Sequence, residues 1–77
     1  MQFMGKLVKI CTSHKIYGDQ QYKAHVFQPF HTEDSIGFLI GTHKIYLFLH
    51  EIESMNFEKD VLHINGTLQN IAVKIIS

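Results

Sequence analysis

Six histidines, His14, His25, His31, His43, His50 and His63, are the residues of this 77-residue chain best suited to chemistry. Imidazole binds metals and changes charge near neutral pH. The spacing does not gather them. There is no HExxH, no HxH and no Cys/His cluster. His50 and Glu53 are three positions apart, and His50 and Glu51 are adjacent. In an extended chain both pairs point to opposite faces. A ligand set would have to assemble across strands, for example from His43 or His50 with His63. No metal site and no cofactor is expected.

Acid–base and nucleophilic chemistry fare no better. Glu51 and Glu53 share a face if the chain is extended there, but a solvated edge accounts for them. Ser13-His14, Ser54 with His50, and Cys11 with His14 or His25 match nucleophile pairs by residue type only. No nucleophile elbow and no third orienting group accompanies them. Gly37 and Gly41 flank strand-like Phe38-Leu39-Ile40, without the lysine and hydroxyl of a phosphate loop. No catalytic residue is assigned, and the chain is not expected to be an enzyme.

Cys11 is the sole cysteine, so no disulfide forms within the chain. It reads as a small buried hydrophobe, and a reducing, cytoplasmic setting is expected. The segment MQFMGKLVKI lacks a long apolar stretch with a cleavage site, and Gly5 is too far from Met1 for myristoylation. No run nears the 18 apolar residues of a membrane span, so no membrane association is expected. Asn65-Gly66-Thr67 fits a glycosylation acceptor but reads as a turn.

Seven lysines balance seven acidic residues, and arginine is absent. The rigid guanidinium fork suited to bases and phosphates is therefore missing, and no strong basic field forms. Lys6, Lys9, Lys15 and Lys23 face only Asp19 in residues 1–32, whereas six acids oppose Lys44 and Lys59 in 33–60. Such a dipole favours head-to-tail contacts but is also ordinary for a solvated surface.

The elements that must position these residues are strands. Leu7–Thr12 alternates, with Val8, Ile10 and Thr12 on one face. A turn at Tyr17-Gly18-Asp19-Gln20 leads to a second strand, Tyr22–Gln28. Pro29 and Thr32-Glu33-Asp34-Ser35 make 28–35 a break, with Phe30 as a lid on the core or an exposed contact. Ile36–Ile40 is a third strand, Gly41-Thr42 a tight turn, and Lys44–His50 a fourth strand. Ile52–Phe57, Val61–Ile64 and Thr67–Ile76 follow, separated by turns at Glu58-Lys59-Asp60 and Asn65-Gly66. A bend is expected near Asn70. No segment holds a 3.6-residue period.

One domain, 1–77, follows, because so short a chain fills a single core. Its ordering entropy, about 1.5 kcal/mol per residue, is only just offset by burial. The fold expected is all-β: a small curled antiparallel sheet or SH3-like barrel of five to seven short strands. A barrel removes edges and encloses a core with few residues.

The fourth strand is the densest apolar run, HKIYLFLHEIE in context. Separated into faces, Ile45, Leu47 and Leu49 supply a core. Lys44, Tyr46, Phe48 and His50 are left on the other side. Phe27 and Phe30 extend or gate that patch. Adjacent exposed aromatics are favoured at interfaces. The function expected is a non-catalytic interaction module, acting through self-association or binding of another protein. The alternative is single-stranded nucleic-acid binding, with Lys44, Tyr46, Phe48 and His50 on one strand and Lys23, His25 and Phe27 on another.

Overall fold

Alternation of apolar and polar side chains becomes strand throughout the protein. The computed structural model describes Phe3 and residues 5–76, with Ala24 described by its backbone alone. The first strand, β1 (Leu7–His14), buries Val8, Ile10 and Thr12 and turns Leu7 and Ser13 to solvent. Then come β2 (Gly18–Val26), β3 (Pro29–His31), β4 (Ser35–Ile40) and β5 (His43–Phe48). A single 3-10 turn, Leu49–Glu51, precedes β6 (Ile52–Glu58), β7 (Val61–Gly66) and β8 (Gln69–Ile75).

Among the described residues all pairings are antiparallel and make two sheets, ordered β2-β1-β8-β7-β6 and β3-β4-β5. The inner side of the larger sheet contributes Val8, Ile10, Ile64, Ile71 and Val73 to the core. The smaller sheet adds Phe38, Ile40, Ile45 and Leu47, and Phe3 and Phe27 complete the cluster. Burying one such aliphatic side chain contributes about 1.5–3 kcal/mol. Between β2 and β3 the chain crosses from one sheet to the other. Phe27 N–H donates to the Lys6 carbonyl and Leu39 N–H to the Gln28 carbonyl, so hydrogen bonding continues through the crossing.

Among the described residues two polar ones, Thr12 and Ser35, are buried, and no buried side-chain nitrogen or oxygen lacks a partner. Ser35 is satisfied by a tight loop. Thr32 Oγ1 lies 2.7 Å from Ser35 Oγ and accepts the Ser35 N–H at 3.1 Å, while Thr32 N–H reaches the Ser35 carbonyl.

The structure departs from the sequence expectation in several places, beginning with β2, which starts at Gly18, inside the turn expected at Tyr17-Gly18-Asp19-Gln20. One strand beyond the seven expected, β3, occupies the segment read as a break. Pro29 fits because β3 lies at a sheet edge, where a missing donor is tolerated. Leu49 leaves the inward side: the 3-10 turn, closed by Ile52 N–H on the Leu49 carbonyl, exposes it. The predicted bend near Asn70 is absent, since β8 keeps register with both β1 and β7. Register shifts fall instead between Val8 and Ile10 and between Ile52 and Ser54.

Another departure concerns Asn65-Gly66, the strongest hairpin signal in the sequence. Both residues belong to β7, and the chain turns at Thr67-Leu68. Gly66 is needed for space: a side chain there would meet the Gln69 carbonyl at 2.9 Å and the Glu51 carbonyl at 3.2 Å. Thr67 N–H to the Glu51 carbonyl and Lys15 N–H to the Leu68 carbonyl hold the turn in place. The hairpin with two left-handed residues is β6–β7, where Lys59 has φ 51° and Asp60 φ 64°.

Candidate functional site

The outer side of the three-stranded sheet carries the aromatic row. Directly opposed residues share a face, and Phe30 pairs with Gly37, which pairs with Tyr46. Ser35 opposes Phe48 and Leu39 opposes Lys44. The two-residue turn Gly41-Thr42, with Gly41 at φ 62°, fixes this register by setting Ile40 opposite His43. Alternation then sends Ile45 and Leu47 into the core and leaves Lys44, Tyr46 and Phe48 outside.

Tyr46 is 46% exposed and Phe48 37%. Their rings meet edge to face, with centroids 5.5 Å apart. The His50 ring continues the row from the 3-10 turn, stacked on Phe48 at 5.7 Å with planes 14° apart. At the opposite end the Lys44 ammonium sits 5.6 Å from the centre of the half-buried Phe30 ring. Five of the six residues expected to bind a partner therefore share one surface: Phe30, Lys44, Tyr46, Phe48 and His50. The glycine between Phe30 and Tyr46 is buried although it lies on the outer side of the sheet.

Phe27 does not belong to this surface. It is 3% exposed and packs in the core against Phe3 and Phe38, each with ring centroids 5.3 Å away. The crossing between sheets turns its side chain inward, an event that alternation within one strand does not anticipate. Lys23 and His25 lie on β2, in the other sheet. The second basic and aromatic face expected from Lys23, His25 and Phe27 is therefore not assembled.

Several histidines have local partners. His14 Nδ1 accepts N–H groups from Ile16 at 3.0 Å and Tyr17 at 3.3 Å, ordering the turn between β1 and β2. His43 stacks on Tyr22 across the two sheets, with centroids 6.0 Å apart. Among the described residues no group of three or more His, Cys, Asp or Glu side chains is arranged to hold a metal ion. Cys11 is free and half-buried. Among those residues, too, no helix is long and apolar enough to cross a membrane.

A groove beside the outer edge of β5 escapes sequence reasoning. It has a volume of about 450 Å³ and runs between that strand and the ends of β1, β2 and β8. His14, Tyr17, Tyr22, His43 and Tyr46 line it, from widely separated parts of the chain. Tyr17 is a member of a turn motif in sequence, and only the fold shows that its ring stands beside His14, 4.6 Å centre to centre. The sequence hint was Tyr17 itself, a large ring in a polar turn.

Compared with protein-family models, with curated proteins and with solved structures, the chain matches none.

Proposed function

We propose that the protein is a non-catalytic interaction module that binds a protein surface, a second copy or another chain, through Tyr46 and Phe48. The observation that carries this reading is the row Phe30–Lys44–Tyr46–Phe48–His50, half-buried at Phe30 and exposed at the other four, on a sheet whose other side is core. Two adjacent rings left in water favour cover by a partner. Rings buried at the centre of an interface, ringed by polar groups, dominate binding energy elsewhere. Lys44 and His50, at the ends of the row, set the register of the partner.

The same row read as a nucleic-acid surface has less support. Lys44 is its one lysine, and Glu51 and Glu53 follow directly after His50. The finer reading of the fold, a small curled sheet or SH3-like barrel, and a cytoplasmic setting in keeping with one free thiol belong to the same proposal.

The test is solution mass across protein concentration at low and high salt, with a binding screen for other chains. Association that survives salt and is lost in Tyr46→Ser and Phe48→Ser supports the face. A protein that stays monomeric and whose captured partners ignore both substitutions sinks it.

A further inference from the structure

The groove beside β5 is built differently from the aromatic row. Two ring pairs flank it: His14 with Tyr17 from the β1–β2 turn, and Tyr22 with His43 across the two sheets. Tyr17 is 78% exposed, so its face is open to a further ring. Gln20 and Gln69 are among the lining residues, and the Tyr22 hydroxyl donates to Gln20 Oε1, orienting that amide. Its NH₂ group remains a donor. The outer edge of β5 adds backbone groups.

The electrostatic character of the lining is equally specific. The chain has as many acidic as basic residues, yet among the described residues no Asp or Glu lines the groove. Lys44 also lines it; its ammonium rests 5.6 Å from the Phe30 ring, on a flexible four-carbon stem long enough to turn toward an anion in the groove. A volume of about 450 Å³ suits a ligand of nucleotide size. Stackable faces, amide groups for a hydrogen-bonding edge, and a lining without carboxylates among the described residues describe one ligand chemistry. A neutral sugar would use the rings and amides but gain nothing from the cation.

We propose that this groove binds a nucleobase with its phosphate, presented by a free nucleotide or by a single-stranded nucleic acid. The base stacks on Tyr17, its polar edge meets Gln20 and Gln69, and the phosphate lies toward Lys44. Stacking on an aromatic ring tolerates any base, so little sequence preference follows. This goes beyond the protein-binding reading: the groove shares Lys44 and Tyr46 with the aromatic row but uses a ring, Tyr17, that the row does not contain.

The experiment is a titration of isotope-labelled protein followed by backbone and side-chain amide NMR. The probes are adenosine and thymidine monophosphates and a short mixed-sequence single strand. The expected result is shifts centred on Tyr17, Gln20, Tyr22, His43, Lys44 and Gln69. Tyr17→Ser should weaken binding at least about fivefold, the lower end for losing one base stack. Phe48→Ser should bind the probes like the parent. Equal affinity for monophosphates and strand supports the proposal with a free nucleotide as ligand. Tighter binding of the strand supports it with a polymer. The proposal is overturned if no probe shifts these amides at millimolar concentration, or if binding persists unchanged in a folded Tyr17→Ser variant. Because Phe48 lies outside the groove, failure here leaves the protein-binding face to its own test.

Discussion

A methyl group added to Gly37 would lie 2.7 Å from both Cα and Cβ of Tyr46, and in collision with the Ile45 carbonyl. The neighbour is backbone, which cannot turn aside as a flexible side-chain end would. Gly37→Ala should therefore part β4 from β5 and lower stability by about 1–3 kcal/mol, as overpacking does elsewhere. Chemical denaturation reads the loss. Because Tyr46 must move, partner binding should fall as well. A Gly37→Ala protein as stable as the parent would show that the strands do not approach this closely.

Neighbours on β5 separate stability from binding. Leu47 is 2% exposed and Phe48 37%. Leu47→Ala should cost about 2–5 kcal/mol, measured by urea unfolding. Phe48→Ser should cost well under that, yet weaken partner binding roughly tenfold or more if Phe48 is a central anchor. Equal loss of stability in both variants would contradict the assignment of Phe48 to the outer side.

The β6–β7 turn carries strain that the sequence does not need. Lys59 and Asp60 both adopt positive φ, a conformation that favours asparagine and glycine. Lys59→Asn with Asp60→Gly should raise stability by about 1 kcal/mol. Thermal unfolding of the double variant, compared with the parent, measures it. No gain, or a loss, would argue against a turn of this shape.

Lys9 on β1 and Lys74 on β8 stand directly opposite each other. Like charges so placed are destabilising, and an opposite pair contributes roughly 0.2–1 kcal/mol. Lys74→Glu should therefore stabilise the protein, by an amount that shrinks as salt is added. A change independent of ionic strength would point to packing rather than charge.

Strand positions were legible because a period of two places alternate side chains on one face only when the chain is extended. Val8-Ile10, Ile45-Leu47 and Ile71-Val73 could be placed on inner faces by pattern alone, and all are buried. What eluded the pattern lies where tertiary contacts outrank local preference. Asn65-Gly66 is a fine turn pair, but Gly66 is used where three segments crowd together. Phe27 alternates onto the surface side of its strand, yet the chain changes sheets there and takes the ring inward. Leu49 continues an apolar run, but its N–H is claimed by the Asp34 carbonyl as the chain enters a 3-10 turn. The aromatic row needed only strand register; the groove needed the whole topology, since its rings come from β1, β2, β5 and a turn.

The pairing of β1 with β8 joins Val8 to Ile75, nearly the full length of the sequence apart. β1 is also the strand between β2 and β8, so the larger sheet has no middle until both are present. During synthesis on the ribosome, the hairpins β4–β5 and β6–β7 can form as they emerge, but the core cannot close before β8 has left the exit tunnel. Until then Tyr46 and Phe48 are exposed together with Ile45 and Leu47, and the nascent chain presents both sides of β5 to whatever chaperone is waiting.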